Sequence, residues 1–123
     1  MSKITILVVE PSKKPYVKEI ENTLKSLQRE VGGCIQAVYP WNEPVALICD
    51  EESKLKNKPF NRALRDENGK IYDYIAGTFL ITGLGEEDFA SLSPDLIQHF
   101  TEMFATPETL LNLNGSLIVV QSE

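Results

Sequence analysis

Apolar positions along the chain recur with two periods, and each period predicts its own kind of element. Short β-branched runs at residues 3–10 (KITILVVE), 34–39 (CIQAVY), 45–49 (VALIC) and 116–121 (SLIVVQ) predict strands. Val17, Ile20, Leu24, Leu27 and Val31 instead recur every three or four residues. That spacing predicts an amphipathic helix that opens at Pro15 and is closed by Gly32-Gly33, with Glu21 and Lys25 as an i,i+4 pair. Ser93-Pro94-Asp95 opens a second helix, whose stripe is Leu96, Ile97, Phe100, Met103 and Phe104 and whose end is marked by Thr106-Pro107.

The longest strand-like run, 71–84, is apolar on both alternating sets, as in a strand covered on both faces. Asn68-Gly69 just before it is the pair a two-residue type I′ turn requires. A hairpin closed there sets Glu67 opposite Lys70, Arg65 opposite Tyr72, Leu64 opposite Asp73, Ala63 opposite Tyr74 and Arg62 opposite Ile75. One face then carries Asn61, Ala63 and Arg65 beside Tyr72 and Tyr74; the other carries Arg62 and Leu64 beside Asp73 and Ile75. Leu110, Leu111 and Leu113 form a short apolar segment, and Asn114-Gly115 is a further turn before the last strand, which is expected at a sheet edge.

The order β-α-β-β-β-β-α-β predicts an α+β fold: a mixed or mainly antiparallel sheet of about five or six strands with two amphipathic helices packed on it. Residues 1–123 read as a single domain, with 108–123 as a C-terminal extension strand. With 42% hydrophobic and 24% charged residues the composition is that of a globular protein. No run approaches the roughly 18 apolar residues of a membrane span, and residues 1–14 lack signal-peptide architecture, so a cytoplasmic protein without membrane contact is expected. Cys34 and Cys49 each sit in an apolar run, which favours buried reduced thiols over a disulfide or metal ligands.

Charge changes the picture. All 12 Lys and Arg lie at or before Lys70, against 10 acidic residues there, a balance of +2. From Ile71 to Glu123 there are 8 acidic residues and no Lys or Arg, so this half carries −8 of the net −6. Such a half repels nucleic-acid phosphates, and direct nucleic-acid binding is not expected. It reads either as a solubility bias or as an acidic face, with Glu86, Glu87 and Asp88 its densest run, aimed at a basic partner.

Candidate chemistry is sparse. One histidine, His99 on the polar side of the second helix, and two cysteines supply no nucleophile–base set and no metal site. No cofactor and no enzymatic activity are expected. Lys13-Lys14 before a helix start could hold an anion, but the loop has no glycine to wrap a phosphate. Asn61, Arg62 and Arg65 are the best ligand candidates, since Arg presents a planar donor fork to carboxylate or phosphate. Because Arg62 falls on the opposite face, Asn61 and Arg65 with Tyr72 and Tyr74 are the set that shares one surface. Against this stand structural readings: Arg62 paired with Asp73, and Arg65 lying over Tyr72. Trp41, between Pro40 and Pro44, reads as core-edge packing or as a contact residue.

The segments VGGCIQAVYP, PVALICDEE and PFNRALRDENGKIYDYIAGTFLITGLGEEDFASL resemble a family of small uncharacterised proteins. That family is classed as a domain of unknown function and is carried by conjugative elements and phages of gut Firmicutes. The resemblance runs from Ile4 to Pro107, with NRAL and IAGTF its most specific parts, and is weaker beyond. It implies an accessory protein of a mobile element, of the kind that counters host defence, anti-CRISPR proteins included. Two functions are expected to compete. One is a non-catalytic inhibitor or modulator of a basic host protein such as a defence nuclease, acting through the acidic half. The other is a nucleotide- or small-anion-sequestering module using Asn61, Arg65, Tyr72 and Tyr74. Either function is compatible with a homo-oligomer.

Overall fold

The computed structural model describes residues 3–121. Its elements in order are β1 (Lys3–Val9), β2 (Tyr16–Glu21), α1 (Leu24–Val31), β3 (Ile35–Val38), β4 (Val45–Asp50), β5 (Phe60–Arg65), β6 (Ile71–Ala76), β7 (Phe79–Leu84), β8 (Phe89–Ala90), α2 (Pro94–Met103), β9 (Glu108–Leu113) and β10 (Ser116–Gln121). The fold is α+β with two helices and a main antiparallel sheet of order β2-β1-β7-β4-β3, with β8 paired to the end of β7. β5–β6 and β9–β10 are separate two-stranded sheets.

Period-two alternation divides the core between the two faces of this sheet. Leu7, Val9, Leu47, Phe79 and Ile81 share one buried cluster with Phe100 and Phe104 from the α2 segment and with Leu64 and Ile75 from the β5–β6 hairpin. Ile4, Ile6, Val8, Ile48 and Leu80 share the other with Leu27 and Val31 of α1. The strand covered on both faces expected within 71–84 is its second half, β7, buried from Phe79 to Gly83 at the centre of the sheet, and its neighbour β4 is buried at every position; the first half, β6, is exposed at Ile71, Tyr72 and Asp73.

Several expected elements take another form. The helix expected from Pro15 begins only at Leu24, because Thr23 is the N-cap: its Oγ1 accepts the Ser26 N–H at 3.1 Å. Residues before it pair with β1, Ile20 opposite Ile4, and Val17 and Leu24 of the supposed stripe are exposed. Glu21 is therefore in a strand, and Lys18 instead bonds Glu30 at 2.9 Å. The run 71–84 is broken at Gly77, whose φ of +75° turns the chain out of one sheet and into another. Cys49 is buried, but Cys34 is exposed: it precedes edge strand β3 and falls on the same alternating set as the exposed Gln36.

The β5–β6 turn is also different. Only Gly69 has a positive φ, +81°, and its N–H donates to Asp66 O at 2.9 Å. Asp66 Oδ1 accepts the N–H groups of both Asn68 and Lys70, each at 2.9 Å, and Asp66 N–H donates to Lys70 O. This is a three-residue loop with a left-handed glycine in place of the two-residue turn. The expected pairs Leu64/Asp73, Ala63/Tyr74 and Arg62/Ile75 form, but Arg65 faces Ile71, leaving Tyr72 as an extra residue. A second irregularity lies between Phe60 and Arg62, which makes Asn61 the extra residue there. The last strand does not join the main sheet edge. It pairs with β9, Gln121 opposite Glu108.

Candidate functional site

Four of the residues selected from the sequence sit on or beside the β5–β6 hairpin, and the structure does not gather them into one site. Asn61, pushed inward by its bulge, is 0% exposed; its Nδ2 donates to Val9 O and Gly77 O, both at 2.8 Å. It fastens β5 to β1 and to the Gly77 turn. Arg65 Nη2 bonds Glu108 Oε2 at 2.8 Å and does not lie over Tyr72. Arg65 and Tyr72 are exposed, Tyr74 is half-buried, and Asn61 does not reach the surface.

Arg62 does not pair with Asp73. It is 1% exposed, and its Nη2 donates to Lys13 O at 2.6 Å and Phe104 O at 2.9 Å while Nη1 donates to Asn61 Oδ1 at 2.8 Å. One guanidinium therefore ties the β1–β2 loop, β5 and the end of α2 together. Burial works against its charge, and Glu108 works for it. Glu108, to which the sequence reading gave no role, supports this hairpin from β9: its Oε1 accepts the Ala63 N–H at 2.8 Å on the outer edge of β5. The available signal was an acid standing immediately before an uncharged apolar segment.

Asp73 is taken by Lys54, Nζ–Oδ1 2.8 Å, and the same ammonium sits 4.2 Å above the Tyr74 ring. Burial pushes the Asp73 carboxyl up, but the Lys54 contact and the Tyr74 N–H together hold it below its ordinary value. These groups line an open cleft of about 380 Å³ with Tyr39, Leu55 and Tyr72. A larger neighbouring cleft of about 600 Å³ is lined by Trp41, Arg65, Asp66, Glu67 and Met103, and Tyr72 stands on the wall between the two. Trp41 is half-buried, its ring 4.5 Å from Phe100 and 6.0 Å from Phe104, so it both packs on the core and lines this cleft.

Under the first cleft lies Asp50. Burial raises its carboxyl, but hydrogen bonds from Lys58, Lys56 and the Glu52 N–H outweigh this and hold it well below the usual carboxylate range. Lys58 Nζ also donates to Val31 O at 2.8 Å, so the lysine-rich connector is pinned to the C-terminal end of α1. Lys13 and Lys14 have no helix start beside them, and Lys13 is 3.6 Å from Glu10. His99 is half-exposed against Phe100, with Glu43 at 3.9 Å. Among the described residues no three His, Cys, Asp or Glu side chains gather as metal ligands, and no helix is long and apolar enough to cross a membrane.

Glu86, Glu87 and Asp88 are exposed in the turn between β7 and β8. Asp88 is anchored, accepting the Phe89 N–H at 2.8 Å and the Asn22 Nδ2–H at 3.3 Å. Glu86 and Glu87 enter no ion pair among the described residues.

Neither the curated proteins nor the solved structures contain a match to this chain. A family model does match, over residues 4–105, and by that match the chain belongs to the family described as domain of unknown function DUF3846.

Proposed function

We propose that this chain is a non-catalytic accessory protein of a mobile genetic element that binds a basic host protein, such as a defence nuclease, and inhibits or modulates it. The observation that carries this reading is the fate of the carboxylates after Ile71. Asp73 and Glu108, which lie beside elements of the first half, take Lys54 and Arg65. Glu86, Glu87, Asp88, Asp95 and Glu102 are exposed and enter no ion pair among the described residues. Charge that the chain leaves uncompensated is available to steer and orient a positively charged partner. Trp41, Tyr39 and Tyr72 along the adjoining clefts are residue types that anchor protein contacts. The mobile-element setting rests on the resemblance of the NRAL and IAGTF segments.

The alternative, sequestration of a nucleotide or small anion, draws on a smaller set than the sequence suggested. Tyr72, Tyr74 and Lys54 offer rings and one cation around the 380 Å³ cleft, whereas Asn61 is buried and Arg65 lines the neighbouring cleft.

One experiment separates the two. The tagged chain is used as bait in a bacterial lysate at about 50 mM and about 500 mM salt. A basic protein is expected at low salt and not at high salt. The Glu86→Gln, Glu87→Gln, Asp88→Asn variant, unchanged in melting temperature, is expected to capture at least about tenfold less. Capture indifferent to salt and to these substitutions contradicts the reading. A nucleotide released from the purified chain, without a salt-sensitive partner, supports the alternative.

A further inference from the structure

Residues 109–121 (TLLNLNGSLIVVQ) contain no charged residue in a chain that is 24% charged. They lie outside the span matched by the family model and make up nearly all of the β9–β10 hairpin. One face of this hairpin carries Glu108, Leu110 and Val119, and Glu108 holds it to β5. The other face carries Leu111, Leu113, Ile118 and Val120, which are 40%, 55%, 41% and 41% exposed. β9 lies on the side of β5, while the outer edge of β10 pairs with no strand among the described residues.

An unpaired edge is a template for another strand, and proteins that remain monomeric usually guard it with charge or proline. β2, at one edge of the main sheet, carries Lys18, Glu19 and Glu21. β10, SLIVVQ, has no charge, proline or glycine. A two-stranded sheet left alone in water is also marginal.

We propose that β10 pairs antiparallel with β10 of a second copy, joining two hairpins into a four-stranded sheet across a two-fold axis. The occupant follows from the edge and from the charge. A strand edge is satisfied by another free edge, and β10 itself supplies one without charge. Two copies that each carry −6 repel one another over most of their surface, so the uncharged hairpin is where they can meet.

The tip sets the register. Asn114 and Gly115, with φ of +53° and +88°, form a two-residue turn, so Leu113 and Ser116 are a hydrogen-bonded pair. Alternation then turns the N–H groups of Ile118 and Val120 toward β9 and those of Leu117, Val119 and Gln121 outward. Two-fold pairing through the outward groups puts Val119 opposite itself, Leu117 opposite Gln121, and Ile118 opposite Val120 of the second copy. It also merges the two apolar faces into one stripe. The contact is small for a dimer, so affinity in the micromolar range is expected.

Sedimentation of the full chain from about 1 μM to about 1 mM tests this. The mass is expected to rise with concentration from 13.8 kDa toward twice that value. Ile118→Lys with Val120→Lys sets lysine against lysine across the axis and is expected to weaken association at least about tenfold; Ile118→Glu with Val120→Glu does the same. Mixing the two variants is expected to restore the dimer, because Lys then faces Glu. A native chain that stays monomeric to about 1 mM overturns the proposal. So do variants that dimerise unchanged, or two variants with native melting temperatures that fail to associate when mixed.

Discussion

Asn68-Gly69 joins β5 to β6 and Asn114-Gly115 joins β9 to β10, yet only the second pair forms the two-residue turn that the dipeptide favours. The difference lies in the side chain two residues before each Asn-Gly pair. Asp66 presents a carboxylate to the amides of Asn68 and Lys70 and closes a longer loop, whereas Asn112 Oδ1 accepts only the Gly115 N–H, at 3.0 Å, inside the two-residue turn. The hairpins then diverge in role. β5 is buried from Asn61 to Leu64 and sewn into the core by side-chain hydrogen bonds, while β10 has no buried residue. Polar residues on the first hairpin are thus mainly structural, and the apolar residues on the second are presented outward. A reading of polarity as function and apolarity as core would invert both.

The largest test of that contrast is Arg62→Met. It leaves Lys13 O and Phe104 O without their donor and loosens three segments at once. A loss of about 3 kcal/mol in urea unfolding is expected; a loss under about 0.5 kcal/mol would remove the argument that β5 is an embedded element. Asp66→Ala, at an exposed loop, is expected to cost about 1 kcal/mol by the same measurement, from two lost hydrogen bonds. No change there would mean that the loop form does not depend on Asp66. The Ile118→Lys, Val120→Lys chain sits at the small end. Measured below its dissociation range, it should unfold within about 0.5 kcal/mol of the native chain, because both positions face solvent in the single copy.

Much of the frame was legible because it is local. The strands at 3–10, 34–39 and 45–49 and the helix opened by Ser93 and Pro94 are found within a residue or two of where periodicity and capping put them. The pairing of Ala63 with Tyr74 was also readable, since it depends only on counting outward from a turn. What failed depends on distant partners. Val17 and Ile20 fit a helix stripe as well as a strand, and only pairing with β1 decides between them. In the run 71–84 only Gly77-Thr78 separates two apolar stretches, and that such a pair is a break between sheets and not an irregularity within one strand is decided by the positive φ of Gly77.

The candidate site was legible in part. Tyr72 and Tyr74 do line a cleft, but Asn61 is drawn inward by a bulge and Arg65 is claimed by Glu108, more than 40 residues away in the chain. The acidic surface was the reverse case. Counting charges located it, and the fold added that Asp73 and Glu108 are compensated while the exposed run at 86–88 is not.

Residue-resolved amide hydrogen exchange, run at about 10 μM and about 500 μM, tests the contrast between the two hairpins most directly. With β5 embedded, the Arg62 and Leu64 amides are expected to exchange only through global unfolding at both concentrations. The outward amides of Leu117, Val119 and Gln121 should exchange rapidly in the dilute sample and slow markedly in the concentrated one. Fast exchange in β5, or equal protection of the β10 amides at both concentrations, would contradict that contrast.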